Sequence, residues 1–227
     1  MIEKIVNIID KLYYHKIIFD YLKKIELKTC FDVGSHKGEF LSNLINIKEV
    51  KEIHCFEPQR SIFKNLRINS FNKKVKFNNI ALSNVNIKKR LNINILSSTS
   101  TFSKINKNNI YYKLKNFFFF KKNSFEKSYF VKCEKLDSYV KKNKIKYIDL
   151  LKIDTEGHEL NVLKGASISL KKKIKYILIE ISSEKKYKNY QINLIENIII
   201  NNKFKLLKIF KHPFLSFEDR LYFNENF

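Results

Sequence analysis

The chain has 227 residues, 44% of them hydrophobic, and no proline-, glycine- or serine-rich stretch that would act as a linker, which suits one domain with a full core. Its net charge of +23 rests on 45 basic residues of which only four are arginine, the residue that specific phosphate and base contacts prefer. The lysines spread along the whole chain beside abundant Ile, Asn, Phe and Tyr, so the charge reads first as compositional bias and second as suited to an acidic or phosphorylated partner, and neither a membrane-length apolar run nor a signal-peptide pattern is present.

Residues 1–26 are predicted as a helical segment packed on the domain, because Ile2, Ile5, Val6, Ile9, Leu12 and Tyr13 recur at helical spacing. Residues 27–227 form the domain itself. The first strand, 27–33, runs into Asp32-Val33-Gly34-Ser35-His36-Lys37-Gly38, and a helix over 38–47 follows. An acid and two glycines between an apolar strand and an amphipathic helix are how a chain turns over a ligand. The chain has four glycines, Gly34, Gly38, Gly157 and Gly165, confined to this loop and to residues 149–166. Glycine so scarce is expected where a side chain would obstruct the backbone or a bound molecule.

Strand two, 53–56, ends at Glu57, and Pro58 suits the first turn of a helix over 58–70. An acid there, about nineteen residues beyond the last glycine, is where an α/β fold holds a ribose diol. The third glycine of the dinucleotide fingerprint is missing, so a nucleoside without pyrophosphate fits better, and S-adenosylmethionine is the common one. Strand three, 75–82, ends in Ala81-Leu82-Ser83-Asn84; Ala81 and Ser83 are placed where an adenine would be met.

Beyond Asn84 the alternation of helix and strand lapses into an insertion. Residues 88–96 alternate like a half-exposed strand, Ser97-Ser98-Thr99-Ser100-Thr101 is hydroxyl-rich, and Phe117-Phe118-Phe119-Phe120 lies between lysines. That aromatic run reads as core packing or as a lid or apolar acceptor surface. A strand over 129–133 and a short helix from Leu136, with Asp137 as its candidate N-cap, return the chain to the domain.

Residues 145–153 are almost continuously apolar, as a central parallel strand is, and deliver Asp154-Thr155-Glu156-Gly157-His158-Glu159 at the carboxyl end, where such folds bind ligands. A helix cap and a solvated histidine would explain one or two of these residues, not the cluster. A strand over 174–181 ending near Glu180, a helix over 190–200, and a closing antiparallel pair, 204–210 and 220–223, around a loop with Pro213 complete the chain. Cys30, Cys55 and Cys133 are odd in number, lack CxxC spacing and sit in apolar runs, so buried thiols in a reducing, cytoplasmic compartment are expected.

The segments FDVGSHKGEF, CFEPQRSIFKNL, IALSN, KLDSY and above all IDLLKIDTEGHELNVLKGA resemble, in order and spacing, those of FkbM-type methyltransferases over residues 28–182. The resemblance implies a class I S-adenosylmethionine-dependent methyltransferase that acts, as known members usually do, on an oxygen of a sugar or polyketide-type product. Carried over by position, Asp32, Gly34, Gly38 and Glu57 would bind the cofactor, joined by Ser35, Pro58, Ala81 and Ser83, while Lys152, Asp154, Glu156 and His158 would face the reaction. With the elements above, the expected architecture is α/β and Rossmann-like. It has a mostly parallel seven-stranded sheet with an antiparallel C-terminal strand, helices on both faces and a small β insertion after strand three.

Methyl transfer is an in-line displacement from a sulfonium, so the enzyme need only align the acceptor and remove a hydroxyl proton. Asp154 or His158 is the candidate base. Asp154, Glu156 and Glu180 could supply oxygen ligands, but no spacing matches a metal motif and no metal is assigned. The expected partner is a small-molecule or glycan acceptor, not a specific nucleic acid. A nucleic-acid methyltransferase would use the basic charge but would carry an aromatic-containing motif such as Asn-Pro-Pro-Tyr where Asp-Thr-Glu-Gly stands. A binding domain without catalysis would not need the intact set Asp32, Gly34, Gly38 and Glu57.

Overall fold

The structure, a computed structural model, describes residues 13–70, 72–94, 101–102, 125–182, 187, 190–212 and 217–227. The aromatic run at Phe117 to Phe120, most of the hydroxyl-rich loop and the loop at Pro213 lie outside the described residues.

The main sheet contains β1 (Thr29–Val33), β2 (Glu52–Phe56), β3 (Val75–Asn78), β7 (Ile148–Ile153), β8 (Ile174–Ser182), β9 (Phe204–Lys211) and β10 (Phe217–Asn224), in the order β3-β2-β1-β7-β8-β10-β9. β1, β2, β3, β7 and β8 are parallel, and β10 is antiparallel to both β8 and β9. This is the class I, Rossmann-like sheet that the sequence predicts.

Alternate residues of the parallel strands serve opposite faces, which is why their sequences are apolar almost throughout. Phe31, Leu151, Ile153, Ile177 and Ile179 belong to a core with α4 (Leu136–Lys142), α5 (Glu159–Lys164), α6 (Ser167–Lys172) and α7 (Ile192–Asn201). Cys30, Ile53, Leu150, Leu178 and Leu221 belong to the opposite core, with α1 (His15–Leu22) and α2 (Glu39–Ile45). The third helix on that side, α3 (Arg60–Asn69), buries only Leu66. Cys30, Cys55 and Cys133 are free and buried, and among the described residues no helix is long and apolar enough to cross a membrane.

Three local expectations change. Residues 75–82 are not one strand: β3 stops at Asn78, and β4 (Ala81–Leu82) joins a separate three-stranded sheet, β4-β6-β5, with β5 (Lys88–Asn94) and β6 (Phe125–Glu134). The break is stabilised by Asn79, whose Nδ2 donates to the Glu57 carbonyl at 2.8 Å and to that of Pro58 at 3.2 Å, satisfying backbone acceptors at the end of β2. Pro58 also stands outside its helix, which begins at Arg60 with Gln59 as the preceding cap. Asp137 does cap a helix, but not its own. Its carboxylate accepts from the Ile168 and Ser169 N–H groups at 2.9 and 2.8 Å, satisfying orphan donors of α6.

The start of α1 reaches the antiparallel strands β9 and β10. The buried Tyr14 hydroxyl lies 2.8 Å from Asp219 Oδ2, and the Asp219 N–H donates to it at 3.1 Å.

Candidate active site

At the carboxyl edge β1 ends in a loop whose backbone leaves the ordinary L-residue regions three times within five residues: φ is 86° at Gly34, 45° at His36 and 91° at Gly38. A Cβ on Gly34 would collide with the Asp154 carbonyl oxygen, so the loop passes directly under the turn that follows β7. The Gly34 and Ser35 N–H groups donate to the Phe56 carbonyl at 3.0 and 3.2 Å, and the Ser35 hydroxyl donates to the Asp32 carbonyl at 2.8 Å. Glu57 closes the cradle from β2. One carboxylate oxygen accepts the His36 N–H at 3.0 Å and the other the Gln59 N–H at 2.7 Å. Burial pushes the Glu57 pKa up to about 7, against the pull of those two N–H groups.

Asp32 is wholly buried, and among the described residues neither of its carboxylate oxygens has a hydrogen-bond partner. Its counter-charge comes from the register of the sheet: Asp32 on β1 stands opposite Lys152 on β7, whose Nζ lies 3.5 Å from Asp32 Oδ1 and 3.1 Å from Asp154 Oδ2. Burial alone would lower the Lys152 pKa. The negative charges of Asp154 and then Asp32 outweigh it and hold the ammonium form. Burial raises the pKa of Asp32, and Lys152 opposes that rise.

The turn after β7 is held by side chains. Glu159 Oε1 accepts three bonds of 3.0 Å, from the Thr155 N–H, the Thr155 hydroxyl and the Gly157 N–H. These bonds hold Glu156 at φ 54° and Gly157 at φ 91°, and a Cβ on Gly157 would meet the Tyr187 ring at 2.8 Å. The Tyr187 hydroxyl donates to Glu156, and Thr101 donates to the Glu156 carbonyl at 2.5 Å. One carboxylate oxygen each from Asp154, Glu156 and Glu180 comes within 4.8 Å of the other two. Oxygens so gathered suit a hard divalent cation, though acidic groups also cluster without one.

His158 does not open toward this acidic group. It is buried, its Nδ1 lies 3.1 Å from Asn161 Nδ2, its Nε2 lies 3.0 Å from Ser83 Oγ, and the Phe102 ring packs 4.7 Å from its own. The Asn161 amide donates to Nδ1, which leaves the proton on Nε2 and makes Ser83 its acceptor. Burial, followed by the charge of Lys89, lowers the His158 pKa to about 3, so the ring is neutral.

The profile of the Methyltransferase FkbM domain matches residues 32–206, a span that holds every side chain of both loops described so far. The chain belongs to the FkbM methyltransferase family. The FkbM methyltransferase of Methylobacillus flagellatus KT superposes with a TM-score of 0.55 at 18% identity, covering 87% of this chain and 43% of that one. This FkbM domain thus spans less than half of that relative's length. Putative methyltransferase yhhF from Escherichia coli follows at a TM-score of 0.51 and 9% identity, with 93% and 85% of the two chains covered. Methanococcus jannaschii fibrillarin, a pre-rRNA processing protein, gives 0.51 and 12%, with 88% and 67% covered. At these identities the likeness establishes the shared fold. No curated protein sequence matches the chain.

In this FkbM domain the structure brings together Asp32, Lys152 and Asp154 through the ammonium, and places Gly34, Ser35, Gly38 and Glu57 in one cradle. Pro58 lies beside that cradle, its carbonyl held by Asn79. Ala81 instead packs with Leu91, Val131 and Cys133 under the small sheet, and Ser83 serves His158. Glu159 and Tyr187 are organisers that the sequence reading does not assign. Glu159 was signalled by an acid beginning a helix four residues after Thr155, whereas Tyr187 arrives from a distant segment with no local mark.

Proposed function

We propose that the domain binds S-adenosylmethionine in the Gly34 to Gly38 cradle and methylates a hydroxyl of a sugar, glycan or similar small acceptor presented to the Asp154 turn. The observation that carries this reading is the cradle itself, with two left-handed glycines against which side chains would collide and a buried carboxylate, Glu57, closing it. The donor set fits the cofactor. Each Glu57 oxygen accepts one backbone N–H and keeps a second lone pair for a ribose hydroxyl. The bound cofactor supplies an electrophilic methyl group on a sulfonium.

The protein's own part is alignment and proton removal. Asp154 is only partly buried, so its carboxylate can accept the acceptor's hydroxyl proton, while Lys152 beside it fixes its position. His158, neutral and enclosed, instead ties the turn to the loop after β4 through Ser83. Calorimetry with S-adenosylhomocysteine tests the reading: the wild type binds, and Glu57→Ala weakens binding by about 1.5–3 kcal/mol, the worth of hydrogen bonds to a charged group. Unchanged affinity in that variant removes the ribose assignment.

A further inference from the structure

The four arginines of the chain are not alike. Arg220 is paired with Glu196 and with Glu218, and Arg90 donates from Nε to the Ser128 hydroxyl at 2.6 Å. Arg60 and Arg67 are exposed, and among the described residues no carboxylate pairs with either side chain. Both line one open pocket of about 670 Å3, together with Lys64, Phe63, Ile68 and Asn79.

The pocket lies on the outer side of α3, the helix that commits only Leu66 to the core. Arg60, Lys64 and Arg67 recur at helical spacing and share a face, with Arg60 and Arg67 about 10 Å apart along the axis at 1.5 Å per residue. Phe63 and Ile68 supply apolar surface beside them, and Ile68 is 75% exposed. α3 itself carries no acidic residue. Residues 58–79 hold six lysines and arginines and no aspartate or glutamate. Asn79 is fixed by its bonds to the Glu57 and Pro58 carbonyls, so the pocket is built against the same end of β2 that closes the cradle, but from outside it.

A lysine-rich chain that directs half of its arginines, unpaired among the described residues, into one open pocket is arranged for planar, bidentate recognition of an oxyanion rather than for diffuse charge. We propose that this pocket binds the phosphate groups of a small diphosphate-bearing molecule, with Arg60, Lys64 and Arg67 on the phosphates and Phe63 and Ile68 against the group they carry. The cavity is of a size that takes a small ligand.

Calorimetric titration with inorganic pyrophosphate and with a nucleoside diphosphate decides the matter. Both bind the wild type. Arg60→Gln/Arg67→Gln weakens both on the order of tenfold or more, as loss of charge-assisted contacts requires. Lys171→Gln/Lys172→Gln on α6, which packs on the other face of the sheet, leaves both unchanged. An unchanged melting temperature shows that the arginine variant is folded. Saturating S-adenosylhomocysteine leaves pyrophosphate affinity in place, because the pocket is outside the cradle.

Equal binding by the two double variants, displacement of pyrophosphate by S-adenosylhomocysteine, or no binding of either diphosphate overturns the proposal. So does binding of single-stranded RNA alone, which would make α3 a nucleic-acid surface. The pyrophosphate titration needs no cofactor, so its outcome and that of the cofactor reading are independent.

Discussion

Two loops meet at the carboxyl edge of the sheet and are built by different means. The loop from Asp32 to Gly38 is a backbone construction: its shape depends on left-handed glycines and on N–H groups donated to the Phe56 carbonyl and to Glu57. The turn from Asp154 to Glu159 is a side-chain construction, held by three bonds to one buried carboxylate and by Tyr187 and Thr101 from elsewhere in the chain. A cradle made of backbone has one shape regardless of what it binds. A turn made of side chains changes its shape when a few of them are exchanged.

The contrast breaks if the first loop tolerates a side chain. Gly34→Ala places a methyl group on the Asp154 carbonyl at a positive φ, so it should destabilise the fold by roughly 3 kcal/mol or more and abolish S-adenosylhomocysteine binding. Thermal unfolding and calorimetry check both. On the other side, Asp154→Ala should leave S-adenosylhomocysteine affinity nearly intact while turnover on the true acceptor falls ~10²-fold, the contribution of a positioned proton-transfer group. Loss of cofactor affinity in that variant would assign the turn to the cofactor pocket.

A smaller change sharpens the same point. Glu159→Gln keeps an acceptor oxygen but loses its charge, so it should cost about 1.5 kcal/mol and lower the melting temperature by roughly 3–6 °C. The acceptor's KM should rise more than that of the cofactor. The smallest effect is a pH profile. Because burial raises the folded pKa of Glu57 to about 7, its contribution to stability is present below its ordinary range and is lost as pH rises through 7. Ribose hydroxyls donate to the ionised form, so S-adenosylhomocysteine affinity should rise over that same window and stay flat in Glu57→Gln.

The parallel strands were legible because burial on both faces writes itself as an unbroken apolar run, as in Ile148–Ile153. The cradle was legible because Asp32, Gly34, Gly38 and Glu57 follow one another at short, fixed intervals. What escaped was set by distant partners. Nothing near Asn79 marks the break between β3 and β4, which depends on carbonyls at the end of β2. Nothing near Asp137 announces that it caps a helix some thirty residues on. His158 reads as a catalytic base by its neighbours in sequence, yet Ser83, Asn161 and Phe102 enclose it in space.

The position of β10 bears on how the chain is made. In the order β8-β10-β9, β10 lies between two strands that precede it in the chain, and among the described residues β9 pairs with β10 alone. While the ribosome is still adding residues 217–224, the parallel strands can already pair, but β9 can only wait, its hydrogen-bonding edge uncovered. Tyr14, made 205 residues earlier, meets Asp219 only at that same moment. Two segments far apart in the chain are therefore fastened in one event, and a chain stalled short of residue 217 would keep an open β8 edge, the form in which neighbouring nascent chains adhere to one another.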